Sequence, residues 1–231
     1  MPDNRSSAVR SYNSTLRAEQ AANTRQRILD AAAACFARTG YAGTSLADIA
    51  AEAGVSVETV KLSGPKRALL LAAFEQAFAG SEGRETIAER DIGQGIRQLD
   101  DDALVPGFVH FVAEANRRTS GLWAGFLSAA SSDPLVQAEL DDLLERRRAD
   151  FLASAAELER RGMIAPASDD ERREFADILS FLVSPESHEQ LVRQSGWSME
   201  RYEAWLSEAI ARLVLGRQSA SSTPPSAAQP R

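Results

Sequence analysis

The sequence has one cysteine, two histidines and no long apolar run. A single cysteine cannot close an internal disulfide, which points to a reducing compartment. Cys35 shares the apolar face of the first predicted helix with Ile28, Ala32 and Phe36, so it reads as a small core residue rather than a redox sensor. The chain offers no metal-spaced His/Cys cluster and no assembled Ser–His–acid constellation. Gly64-Pro65-Lys66 lacks the earlier glycine of a phosphate loop, and Gly93-Gln94-Gly95 follows no strand. These absences predict a protein that is not an enzyme and that carries no metal and no cofactor. No apolar stretch approaches the ~18 residues needed to span a membrane. Arginines near the amino terminus are not followed by an apolar h-region, so no signal peptide is read there. A cytoplasmic protein without a membrane partner is expected. Strand alternation and internal repeats are also missing, which leaves an all-α chain.

What is present describes a globular protein: 231 residues, 44% hydrophobic and 26% charged. The net charge of −7 is divided unevenly. Residues 1–70 carry nine Lys or Arg against six acids, a balance of +3, which leaves 17 against 27, or −10, in the remainder. A basic amino-terminal end and an acidic remainder suit a nucleic-acid contact made by the first part alone. A bias of +3 is modest, so affinity would depend on a dimer presenting two such ends.

Within residues 44–66, the run from Thr44 to Val60 reads as a helix-turn-helix. Ser45 is a good N-cap, and Leu46, Ile49, Ala50 and Ala53 follow at i, i+3, i+4 and i+7, one buried helical face. Gly54 sits where that helix must stop and reverse, a position that favours positive φ. Ser56 caps a second short helix with Val60 as its inward anchor. Small Ala50 allows a close crossing, and Val55 plugs the turn. An ordinary helical corner in an all-α core is the bland alternative.

On these residues the chain resembles the DNA-binding domain of the TetR family of transcriptional regulators. The similarity runs through Arg27-Ile28-Leu29-Asp30-Ala31-Ala32, Phe36 to Ser45, Ile49-Ala50, Ala53-Gly54-Val55-Ser56 and Lys66-Arg67-Ala68-Leu69-Leu70. A later stretch, Ser184-Pro185-Glu186 through Gly196-Trp197-Ser198 to Trp205-Leu206, is similar to the carboxyl-terminal helices of one branch of the family. The resemblance implies a recognition helix of about Val57 to Leu62 in the major groove, with Val57, Glu58, Thr59 and Lys61 outward. Lys61 could donate to guanine or phosphate, Glu58 could accept from cytosine N4, and Val57 or the Thr59 methyl could touch a thymine methyl. Thr44, Ser45 and Ser56 at helix N-termini and Lys66 opening the fourth helix are the implied phosphate contacts. The chain departs from the family pattern after Val60. Lys61 occupies the usual tyrosine position, no phenylalanine follows, and Lys66 arrives one residue early. Leu62 is expected to take over the packing, before an abrupt turn at Ser63-Gly64-Pro65.

The remaining organisation follows from periodicity and composition. Residues 1–22 read as a flexible basic arm with Arg5, Arg10 and Arg17, and residues 23–79 as the TetR-type helix-turn-helix domain. Helix one is expected from Arg25 to Thr39, capped by Thr24 and stopped by Gly40. Residues 80–215 read as a larger helical domain for effector binding and dimerisation, with a loop or frayed connection over 80–100 and a break between helical patterns at 101–115 and 122–130. Residues 216–231, rich in Ser, Ala, Pro and Gln, read as a disordered tail. Arg146, Arg147 and Arg148 follow acids at helical spacing and read as a solvated, salt-bridged face. Phe108, Phe111, Trp123, Phe126 and Met163 are candidate lining residues of an effector pocket, although plain core packing explains them as well. His110 could be a polar group of that pocket or an exposed histidine, and His188, among Glu186 and Glu189, reads as a surface residue. The function expected is a sequence-specific regulator, a ligand-responsive repressor binding a double-stranded DNA operator as a homodimer under control of a small-molecule effector. The alternative is a dimeric ligand-binding or protein-interaction module whose operator binding is weakened or lost.

Overall fold

The structure, a computed structural model, describes residues 5–216, with side chains from residue 17 onward. The described residues form helices and turns, with no strand among them. They divide into two compact units, one drawn from residues 5–82 and 121–138, the other from residues 83–120 and 139–216. Residues 217–231, the bulk of the expected disordered tail, lie outside the described residues, as do residues 1–4 and the side chains of Arg5 and Arg10.

In the first unit, α1 (Arg5–Gly43) begins well before the start expected at Arg25. The Thr24 hydroxyl donates to the Gln20 carbonyl at 2.8 Å, as a side chain inside a helix does, and is not a cap. Residues 17–23 are exposed on every side, so no apolar period marks them as helical. Further along, Ile28, Leu29, Ala32, Cys35 and Phe36 turn inward and are almost wholly buried. Burying the larger three contributes roughly 1.5–3 kcal/mol each. Gly40 (φ 72°, ψ 173°) breaks the helical course of α1. Three short helices follow: α2 (Leu46–Ala53), α3 (Val57–Leu62) and α4 (Lys66–Ala79).

The same unit takes in residues 121–138, which the sequence assigns to the larger domain. The reason is aromatic packing. Trp123 and Phe126, at the end of α6 (Asp101–Ala130), lie against Phe74 of α4 with ring centroids 5.3 and 6.1 Å away. Gly121 and Gly125 face α1 so closely that added Cβ atoms would touch Ala37 and the Phe36 carbonyl at 3.6 Å each.

The second unit replaces the expected loop at 80–100 with a 3-10 turn, Ile87–Glu89, and a helix, α5 (Asp91–Arg97). Asp150 holds them: its carboxylate accepts from the Ile87 and Ala88 amides at 2.9 and 3.0 Å. Burial pushes the pKa of Asp150 up, and those two amides oppose the shift. Gly93 is needed for close approach, since a Cβ there would overlap the Ile87 carbonyl. α6 is one continuous helix, without the expected break at 116–121. It is followed by α7 (Pro134–Arg160), α8 (Asp169–Leu182), α9 (Pro185–His188) with a wider π turn to Gln194, and α10 (Met199–Ile210) with a π turn to Leu215. Phe151, Leu158, Phe175, Leu179, Leu206 and Ile210 form the centre of its core. At the end of α7, Arg160 and Arg161 bind Glu157 and pull its carboxyl down to about 2.

Two sequence expectations are corrected here. Arg146 and Arg148 pair with Asp142 and Asp177 as a salt-bridged face should. Arg147 does not: it turns inward over the Phe151 ring and donates to the Ser180 carbonyl at 2.8 Å. His188 is 2% exposed rather than on the surface, because Ser184 and Pro185 start α9 in a direction that points it into the core. His110 is exposed and lies 3.1 Å from Glu203.

The turn of the motif depends on Gly54, which holds φ 64° as the C-cap of α2. An alanine there is strained by about 1–2 kcal/mol, and its Cβ would meet the Arg27 guanidinium 3.1 Å away. Gly54→Ala is expected to lower the thermal midpoint of the full chain, read by circular dichroism. An unchanged midpoint would show that the turn does not limit stability.

Candidate nucleic-acid interface

α2 and α3 are each fixed by a serine at the entrance. The Ser45 hydroxyl accepts from the Asp48 amide at 3.1 Å, while the Asp48 carboxylate accepts from the Ser45 amide at 2.8 Å, a reciprocal capping box. The Ser56 hydroxyl accepts from the Thr59 amide at 3.1 Å and shares a 2.8 Å hydrogen bond with the Thr59 hydroxyl. Val60, fully buried, anchors α3 from below.

The exits are held by cations. Arg27 of α1 donates to the Ala53 and Gly54 carbonyls at the end of α2. Arg25 donates to the Ser63 carbonyl at the end of α3 at 2.6 Å and pairs with Glu82. Lys66 donates to the Tyr41 and Thr44 carbonyls at 2.8 and 3.1 Å and sits 4.2 Å from the centre of the Tyr41 ring. A helix leaves its last carbonyls without partners, and positive charge there is favourable.

This geometry sorts the sequence-predicted residues. Ser56, Val57, Glu58, Thr59 and Lys61 share α3, with Val57 36% exposed and Glu58 and Lys61 well exposed. Lys61 and Glu58 pair with each other at 2.7 Å. Such an exposed pair is worth at most about 1 kcal/mol, so a nucleic acid could compete for either partner. Ser45 lies at the other end of α2, beside a carboxylate. The Ser45 hydrogen bonds hold the Asp48 carboxyl below its usual range, so it stays ionised and repels phosphate there. Thr44 leaves the set: it is 2% exposed, and its hydroxyl donates inward to the Gly40 carbonyl at 2.8 Å and meets the Thr39 hydroxyl at 2.9 Å. Two of the three Lys66 protons are spent on carbonyls, so its first task is to hold α4 against the α1–α2 corner.

Two residues were missed. Leu62, expected to pack, is 90% exposed at the end of α3. With Ser63, Gly64 and Pro65 ending the helix, no neighbour covers it. Arg67 is half-exposed beside Lys66 and has no ion-pair partner among the described residues. Its signal in the sequence was only its place next to Lys66.

The five candidate effector-lining residues are divided between the two units. Trp123 and Phe126 pack in the first unit with Phe74. Phe108, Phe111 and Met163 are half-buried against the core of the second. The separation follows from α6, whose last ten residues belong to the first unit.

Residues 28–61 match the family model of bacterial regulatory proteins of the tetR family. Among curated proteins, none matches the sequence. Three solved structures share the fold, each at 20% identity. A candidate transcriptional regulator from Pseudomonas aeruginosa PAO1 aligns with 84% of this chain and 92% of its own, at a TM-score of 0.64. A candidate TetR-family regulator from Mesorhizobium loti MAFF303099 aligns over 83% and 95%, at 0.59. A candidate regulator from Saccharomonospora viridis, in complex with choline, aligns over 82% and 96%, at 0.60.

If Lys66 is a tie between helices, Lys66→Met should lower the thermal midpoint of the full chain, whereas Lys61→Ala should leave it unchanged. Equal midpoints for Lys66→Met and the parent chain would return Lys66 to a purely surface role.

Proposed function

Because the chain carries the amino-terminal domain of the TetR family of bacterial regulatory proteins, we propose that it is a sequence-specific repressor. It binds a DNA operator as a homodimer and lets go when a small molecule occupies its carboxyl-terminal region. The observation that carries this reading is α3: a six-residue helix, capped by Ser56 and anchored by Val60, that presents Val57, Glu58, Thr59 and Lys61 outward. A helix of that kind enters the major groove, where Lys61 donates to a guanine or a phosphate and Val57 meets a thymine methyl. Ser45 and Ser56 offer helix N-termini to phosphates, and Arg67, without an ion-pair partner among the described residues, adds a cation in the first turn of α4. Work on DNA places the protein in the cytoplasm.

Two-fold pairing is supported by apolar side chains left outward in the second unit. Phe181 of α8 is 73% exposed, with Leu144 of α7 and Leu213 beyond α10 about half exposed. A dimer covers such side chains and sets its two recognition helices about 34 Å apart, one turn of DNA. An effector then acts by favouring one spacing over another. The choline held by the Saccharomonospora viridis protein supports the idea that this fold admits a small molecule.

Fluorescence anisotropy with labelled DNA from the protein's own upstream region, against unrelated DNA, tests the reading. Preferential binding that weakens steeply between low and moderate salt is expected. Lys61→Ala should weaken it by roughly 1–3 kcal/mol with the fold intact if Lys61 reads a base. Equal, weak binding to both DNAs would favour the second reading, a dimeric ligand-binding module with lost operator binding, which the short α3 and exposed Leu62 make specific. For the dimer, Phe181→Glu is expected to yield monomers in sedimentation velocity. Retention of the dimer would move the interface elsewhere.

A further inference from the structure

His188 is 2% exposed, and neither ring nitrogen has a hydrogen-bond partner among the described residues. It ends α9, a four-residue helix that joins α8 to α10 through a wide turn, Glu189–Gln194. The imidazole meets the Tyr202 ring of α10 edge-on, with centroids 5.5 Å apart. Hydrogen bonds between neutral groups brace the same corner. Asn116 of α6, wholly buried, donates to the Val183 and Ser184 carbonyls at 3.1 and 3.3 Å, and the Ser187 hydroxyl lies 2.9 Å from the Tyr202 hydroxyl.

A histidine changes charge closer to neutral pH than any other side chain, with an ordinary pKa of about 6.5. A neutral imidazole is tolerated in such a place. An imidazolium needs water, a carboxylate or another acceptor. The charged groups around His188 offer it none. Glu189 of the turn and Glu114 of α6 would favour the cation, but each already pairs with an arginine, Glu189 with Arg193 at 3.1 Å and Glu114 with Arg117 at 2.8 Å. The same two arginines repel a charged imidazole. The Tyr202 phenol, the titratable group that α10 sets against the ring, is kept protonated, because burial pushes its pKa up. Burial likewise pushes the pKa of His188 below its ordinary value, with the two carboxylates opposing and the two arginines adding.

We propose that His188 is an acid-sensitive lock on the corner between α8 and α10. Neutral, it packs against Tyr202 and keeps α9 seated. Once it takes a proton from solvent it leaves the core, and the corner from Ser184 to Tyr202 opens. An opened chain binds that proton at about pH 6.5 and the closed one does not. The closed corner is therefore favoured in full above that pH and loses favour as the pH falls below it. With one proton at stake, the preference for the closed form drops by up to about tenfold for each pH unit. His110, the other histidine of the chain, is exposed beside Glu203, so it can take a proton without leaving its place. The lock lies within the second unit and works whether or not α3 reads DNA.

Histidine NMR of the full chain carrying His110→Gln, which leaves a single imidazole, tests the lock from about pH 7.5 down to about pH 5. The His188 resonance is expected to stay neutral for as long as the amides of residues 184–202 exchange slowly, and to charge only as that exchange speeds up, while the amides of residues 28–36 in α1 keep their protection. A His188 that titrates at its ordinary value with the corner still protected would overturn the lock, as would a corner that stays protected down to about pH 5. His188→Phe keeps a ring against Tyr202 and takes no proton. In urea unfolding followed by circular dichroism, the folding constant of the parent chain is expected to fall by up to about tenfold more per pH unit than that of this variant below about pH 6.5. The comparison cancels Asp150 and every other acid that the two chains share. Identical pH dependence in both would also overturn the lock. Should His188→Phe fail to fold, the histidine titration decides, since it leaves position 188 unchanged.

Discussion

The helix-turn-helix is held by cations set on the carbonyl ends of its helices. Arg27 closes α2, Arg25 closes α3, and Lys66 closes the corner where α1 gives way to α2. Short helices need this most. α3 has six residues and α2 eight, so their orphan carbonyls are nearly as numerous as their internal hydrogen bonds. Serines answer the amides at the other ends. The motif is thus a set of short dipoles, each met at both ends, around a small core of Ile28, Phe36, Ile49 and Val60.

That arrangement changes the meaning of the basic amino-terminal region. Its positive balance reads as an attraction for phosphate, yet Arg25, Arg27, Arg38 and Lys66 are engaged within the protein. Lys61 is shared with Glu58. Arg67 and the exposed Arg17 have no such partner among the described residues. Few of the described cations in this region are therefore left unengaged.

The sequence made the first unit legible because its signals are local. Ser45, Ser56 and Gly54 act on their immediate neighbours, and the apolar period of α2 has one buried side. Three of the failures share a cause: a buried face that is not apolar. The stretch Asn116 to Gly121 looks like a break, yet Asn116 and Thr119 are wholly buried, and the Thr119 hydroxyl turns back to the Ala115 carbonyl at 2.8 Å while α6 runs on. His188 reads as surface for the same reason, and Arg147 reads as one of three solvated arginines. Periodicity counts apolar residues, so it cannot see a polar side of a core. The start of α1 fails in the opposite sense: residues 17–23 bury nothing and offer no period at all.

Local rules are kept through most of this chain and broken in two places. At the end of α3, Leu62 stands in solvent, 90% exposed. Inside the second unit, Asn116 Oδ1 and both ring nitrogens of His188 are buried without a partner among the described residues. Exposed apolar surface and buried unmet polarity both reduce stability, and neither helps its own unit to fold. On the proposed function the exposed end of α3 is where a partner would add contacts, and an effector acts only through a difference in its affinity for two states of the chain.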